Sequence, residues 1–181
     1  MTVDPTDLEV MRGRLESLAQ EMQIILLRSS YSTILTESLD ATSALFDSQG
    51  RTMAQAVSIP IHLGVLAELG RRVAERFPAG TARPDDLYAI NDPYAGGTHL
   101  PDIAVFAPAF SGERLVGYVA TMSHHADVGG SAPGSCTRTI CATCALSAWP
   151  TPTTVFLILL GAYSPTGSPN CAGTNIAMPR A

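Results

Sequence analysis

Residues Asn91 to Gly130 read NDPYAGGTHLPDIAVFAPAFSGERLVGYVATMSHHADVGG, and three of the chain's four histidines and three aspartates crowd there around two Gly-Gly pairs. Ile103 to Phe110 is an apolar, β-favouring run and Leu115 to Met122 is another. Ser111-Gly112-Glu113-Arg114 between them has turn composition. These features predict a β-hairpin folded about Gly112 and Glu113, in which paired residue numbers sum to 225, as 112 and 113 do.

That register sets His124 opposite Pro101, with His99 and Asp102 flanking the same point at the open end of the hairpin. Two imidazoles and one carboxylate are a donor set for zinc, iron or manganese. Directly opposed residues share a face of a sheet, so a strict ladder puts His99 and Pro101 on the face of His124, and Asp102 on that of His125. Pro101 cannot donate to a ladder and predicts irregular backbone that frees Asp102 to turn toward a metal. A competing pair, Asp102 with His125, stays open on this reading.

Working outward, Leu87 to Ile90 reads as a short buried strand that delivers Asn91 and Asp92 to the rim of the site. Asp92 before Pro93 reads equally as a turn residue or as a catalytic contact to substrate. Gly96-Gly97 suits a tight turn better than an anion-binding nest. Asp127, three residues after His124, is placed either to orient an imidazole in catalysis or to open the Gly129-Gly130 turn. Ser123, His124 and Asp127 do not make a hydrolase triad, because neighbours on a strand point to opposite faces and no nucleophile elbow is present.

Upstream, Thr6-Asp7-Leu8-Glu9 fits a capping box. Leu8, Met11, Leu15, Leu18, Met22 and Ile25 then recur at steps of three and four, which predicts an amphipathic helix with that stripe in the core. Thr42 to Phe46 and Arg51 to Val57, joined by Asp47-Ser48-Gln49-Gly50, predict a second hairpin. A helix follows from about His62 to Phe77, and His62 at its start reads as a capping or packing residue with no chemistry assigned to it.

The strings NDPYAGGTHLPD and SHHADVGGSAPGS, with IPIHLG at Ile59 to Gly64 and QEMQIILLRSS ending the first helix, resemble the hydantoinase B/oxoprolinase family over about the first 135 residues. That family includes N-methylhydantoinase beta subunits, ATP-dependent 5-oxoprolinases and the acetone carboxylase alpha subunit. The resemblance implies a divalent ion of the manganese type on His99, Asp102 and His124. It implies cyclic amide substrates, hydantoins or 5-oxoproline, opened in an ATP-coupled hydrolysis, or a small ketone carboxylated with ATP. It also implies that a separate hydantoinase A-like partner subunit or domain handles the ATP. The chain itself has no GxxxxGK[ST] phosphate loop.

The 181 residues are enough for one domain with a core, and the net charge of -5 leaves no basic footprint for nucleic acid or an anionic membrane. Met1 to Asp7 has no positive and then apolar leader, so the expected location is cytoplasmic; a homo-oligomer is compatible with the composition. The last acidic residue is Asp127, and all four cysteines lie beyond it. Residues 136–181 carry only Arg138 and Arg180 as charges and are rich in Thr, Ala, Pro and Ser. The Cys141-Ala142-Thr143-Cys144 spacing has no matching second pair and is not read as a zinc site.

The expectation is therefore an α+β fold: an N-terminal amphipathic helix, β-hairpins and a second helix around a mixed sheet, with an irregular C-terminal tail. Residues 1–135 are expected to form the N-terminal part of a hydantoinase B-like domain. Residues 136–181 read as an atypical tail, out of frame or disordered. The alternative to an active subunit is a truncated, inactive fragment or a relative of the ketone carboxylase alpha subunit.

Overall fold

A computed structural model describes residues 4–126, 128 and 176–177. The expectations for Asp127, for the four cysteines and for nearly all of the tail lie outside the described residues. The elements run α1 (Pro5–Ser29), α2 (Thr33–Thr36), β1 (Ala41–Asp47), β2 (Thr52–Gln55), α3 (Pro60–Arg76), β3 (Tyr88–Ile90), β4 (Asp102–Ser111), β5 (Arg114–His124) and β6 (Ile176–Ala177).

The strands form one sheet in the order β2-β1-β5-β4-β3-β6. Every ladder in it is antiparallel. The class is α+β as expected, but the sheet is antiparallel where a mixed one was expected. The reason lies in the connections. Tight turns join β1 to β2 and β4 to β5, and α3 links β2 to β3 with three strands between them.

Alternation along the central strands builds a core on each face. Ala44 and Phe46 of β1, with Tyr118, Ala120 and Met122 of β5, pack against Leu66, Leu69 and Val73 of α3. Leu45 points the other way, where it meets Ala19 of α1 together with Ala54 and Ala56.

Helix α1 begins two residues earlier than the capping box suggests. Asp4 is the N-cap, its side chain accepts from Thr6 N at 2.7 Å, and Pro5 stands in the first turn. Its apolar stripe also divides. Ala19, Gln23 and Leu26 are buried and Leu15 and Met22 are partly so, whereas Leu8, Met11, Leu18 and Ile25 are exposed. The small patch offered by β1 and β2 covers only one edge of the stripe. No helix among the described residues is long and apolar enough to cross a membrane.

Candidate metal centre

The β4–β5 hairpin turns where its composition predicts. Gly112 carries φ +61 while Glu113 does not leave negative φ, the pattern of a two-residue turn with glycine first. Ser111 pairs with Arg114 and Phe110 with Leu115, both summing to 225. The register then shifts between Ala109 and Phe110, and from Ala109↔Gly117 to Asp102↔His124 the pairs sum to 226.

The extra residue is Val116, a β-bulge, and it changes which face every later side chain occupies. Asp102, not Pro101, is therefore the residue opposite His124, and it shares that face. Beside the bulge, Gly117 lies against β1: a Cβ there would sit 2.0 Å from the Phe46 carbonyl oxygen. A glycine inside a strand run was the sequence signal for this irregularity.

With that parity, three donor atoms converge. His99 Nε2 lies 2.9 Å from Asp102 Oδ1 and 2.9 Å from His124 Nδ1, and the last two lie 2.9 Å from each other. Asp102 is buried, and the two imidazoles are only partly so. Donors holding one ion at about 2.1 Å stand about 3 Å apart when their bonds are at right angles, so the triangle has the size of a metal-binding face.

The surroundings hold these groups in place. His99 O accepts from Asp102 N at 3.1 Å, and Pro101 O accepts from His125 N at 2.9 Å. Buried Asn91 donates from Nδ2 to Leu100 O at 3.0 Å, which clamps the loop that carries His99. Thr98 Oγ1 donates to Asp102 Oδ2. Burial pushes the Asp102 carboxyl up, but contacts with His124, His62 and Thr98 and the charge of His99 outweigh it and hold the group well below the usual carboxylate range. The hydrogen bond to Asp102 raises the His124 imidazole against its own burial.

Two further residues belong to this cluster. His124 N donates to Asp40 O at 3.0 Å, which places Asp40, just before β1, beside the triangle. Asp40 Oδ2 is 3.9 Å from His124 Nδ1, and Asp40 Oδ1 is 3.4 Å from His62 Nε2. His62, buried in the first turn of α3, also faces Asp102 Oδ2 at 3.6 Å. The expected packing role of His62 thus becomes a place between two carboxylates. Sequence reasoning missed Asp40 because only the pairing of β1 with β5, whose partners are some 80 residues apart (Ala41↔Ser123), brings it here.

The competing pair does not form as a donor set. His125 is buried on the other side of the strand end, its Nε2 3.4 Å from Ser123 Oγ, and burial followed by the neighbouring His124 lowers it to about 4. Asp92 adopts its turn reading: its carboxylate accepts from Tyr94 N at 2.9 Å and its carbonyl accepts from Ala95 N and Gly97 N at 3.0 Å. It is not a member of the three-residue cluster.

Residues 4–142 match the hydantoinase B/oxoprolinase family model. The 5-oxoprolinase of Saccharomyces cerevisiae is 41% identical over 136 residues, which is 75% of this chain and 10% of that protein. Caprolactamase subunit beta of Pseudomonas jessenii is 37% identical over 132 residues, covering 73% of this chain and 22% of that one. The crystal structure of that ATP-dependent caprolactamase superposes with a TM-score of 0.65 at 35% identity, over 74% of this chain and 23% of its own. A nucleotide-free acetone carboxylase structure gives a TM-score of 0.67 over 73% of this chain and 18% of its own; at 22% identity that likeness concerns the fold alone. The chain spans 10% to 24% of the length of the curated relatives it matches.

Proposed function

Because the chain belongs to the hydantoinase B/oxoprolinase family, we propose that it is the metal-binding part of a subunit that opens cyclic amides in an ATP-coupled hydrolysis. His99, Asp102 and His124 hold the ion in this reading, with manganese, zinc or iron as the candidates. The observation that carries it is the triangle of three donor atoms, each 2.9 Å from the other two. Asp40 is the natural fourth donor, since its Oδ2 approaches the same His124 nitrogen.

When bound, the ion supplies Lewis acidity toward a carbonyl oxygen or an acidified water. The chain's own residues prepare for it. Asp102 brings a full negative charge into a buried place, and Thr98 holds its second oxygen. His62 sits between Asp40 and Asp102 and keeps both carboxylates turned inward, as partners behind metal ligands do. Asp92, through its turn, shapes the rim rather than the ion site.

The identities of 41% with a 5-oxoprolinase and 37% with a caprolactamase subunit favour a cyclic amide over a ketone as substrate. The subunit designation of the caprolactamase relative supports a hydantoinase A-like partner that handles ATP.

Metal analysis of the purified chain tests the reading first, with one equivalent expected and none in Asp102→Asn. Ring opening of 5-oxoproline with ATP and a cognate partner subunit then tests the activity. Folded protein that takes up neither manganese, zinc nor iron would overturn the proposal.

A further inference from the structure

Helix α1 has an outer face that the fold does not use. Asp7, Arg14, Glu21 and Arg28 recur every seven residues along it, all exposed, with charges alternating negative, positive, negative, positive. Apolar residues flank this row on both sides: Met11, Leu18 and Ile25 on one, Val10 and Ile24 on the other, and all five are exposed.

The four charges have no partner on their own helix. Arg12 is held by Glu9 at 2.5 Å and by Glu16 at 2.8 Å, the usual pairing at three and four residues. Three and four residues from Arg14 stand only Val10, Met11, Ser17 and Leu18; from Glu21, only Ser17, Leu18, Ile24 and Ile25. None of the four enters an ion pair among the described residues. An open groove beside the face, lined by Ser17, Glu21, Ile24 and Val57, extends the unpartnered surface.

We propose that this face binds the same face of a second copy of the chain, with the two α1 helices antiparallel. An alternating row of four charges read backwards is its own complement. In a register where paired numbers sum to 35, Asp7 meets Arg28 and Arg14 meets Glu21, each twice about the two-fold axis. An antiparallel two-fold brings like flanks together, so Met11 comes near Ile25 and Leu18 near its own copy on one side of the row, and Val10 near Ile24 on the other. A parallel pair would instead set every charge against its like, so the row selects the direction as well as the partner. At about 1.5 Å per residue the helix is about 37 Å long, enough for all of these layers.

Sedimentation equilibrium of the whole chain tests this. Wild type is expected to form a dimer that weakens as salt is raised, because salt screens the attraction between the oppositely charged rows. Arg14→Glu creates two like-charge contacts and should weaken the dimer on the order of tenfold or more. The double exchange Arg14→Glu with Glu21→Arg restores both contacts and should return the dissociation constant to within about threefold of wild type. These positions are exposed, so circular dichroism should show unchanged helix content in each variant.

A monomer at every concentration, a dimer indifferent to Arg14→Glu, or a double exchange that fails to restore would each overturn the proposal. So would a chain that is monomeric alone and covers this face only when a partner subunit is added. Chelator-treated protein should give the same series, which separates this result from the fate of the metal reading.

Discussion

Asp102 stands directly across the β4–β5 ladder from His124, with its Oδ1 2.9 Å from the imidazole Nδ1. A hairpin without the bulge at Val116 would bring Pro101 to that place and turn the carboxylate to the opposite face. One inserted residue, about 26 Å along the strand by its rise of about 3.3 Å per residue, thereby decides whether two imidazoles and a carboxylate share a face.

Removing a donor should abolish stoichiometric metal. His99→Ala and Asp102→Asn are each expected to weaken manganese or zinc binding by about 100-fold or more, since a set of three cannot lose one member and keep its geometry. Metal added to wild type should raise the melting temperature, because it binds the native state only. Isothermal titration and thermal melts check both, and a variant that binds as tightly as wild type would contradict the site.

His62 should behave differently from the three donors. His62→Gln is expected to leave one equivalent bound at saturation but to lower the affinity by about 10- to 100-fold, the usual effect of losing a group behind a metal ligand. A competition titration reads affinity and stoichiometry separately. Unchanged affinity would remove His62 from the site.

Gly117 should tolerate no side chain. Gly117→Ala sets a Cβ against the Phe46 carbonyl and should cost about 2 to 4 kcal/mol, because backbone on both sides must move. Gly13→Ala is the matched control: nothing lies within 4 Å of that Cβ, and the helix should gain about 0.5 to 1 kcal/mol. Urea denaturation of the two variants should move the midpoint in opposite directions.

The β1–β2 turn should lose strength in acid. Asp47 accepts from Gln49 N and Arg51 N at 2.9 Å and from Arg51 Nε at 2.6 Å. Burial pushes its carboxyl up, but these bonds outweigh it and leave it lowered. A lowered folded pKa gives stabilisation that is whole above the unfolded value near about 4 and fades as pH falls through the folded one. Asp47→Ala should cost about 1 kcal/mol near neutral pH, and that cost should shrink as pH falls through the lowered folded value. Denaturation of wild type and variant across that range checks the convergence.

Local features of the chain were legible from its residues, and non-local ones were not. The turn at Gly112 and Glu113, the α3 helix and the β1–β2 hairpin follow from composition and periodicity within short windows. His99, Asp102 and His124 were legible as a group because one hairpin holds them. Asp40 and His62 were not, because their approach depends on β1 pairing with β5 and on where α3 docks. The α1 stripe misled for a related reason: periodicity identifies an apolar face, but only the width of the sheet beneath decides how much of it is covered.

The central ladder also sets an order of assembly. Ala41 cannot find Ser123 until the chain has been synthesised through β5, so β1 waits beside β2 while nearly seventy further residues emerge. During translation the first hairpin therefore has an unfilled edge, a surface on which chaperones or a neighbouring nascent chain can act. A folding rate limited by this closure, slow for the length of the chain, is the kinetic signature of such long-range pairing.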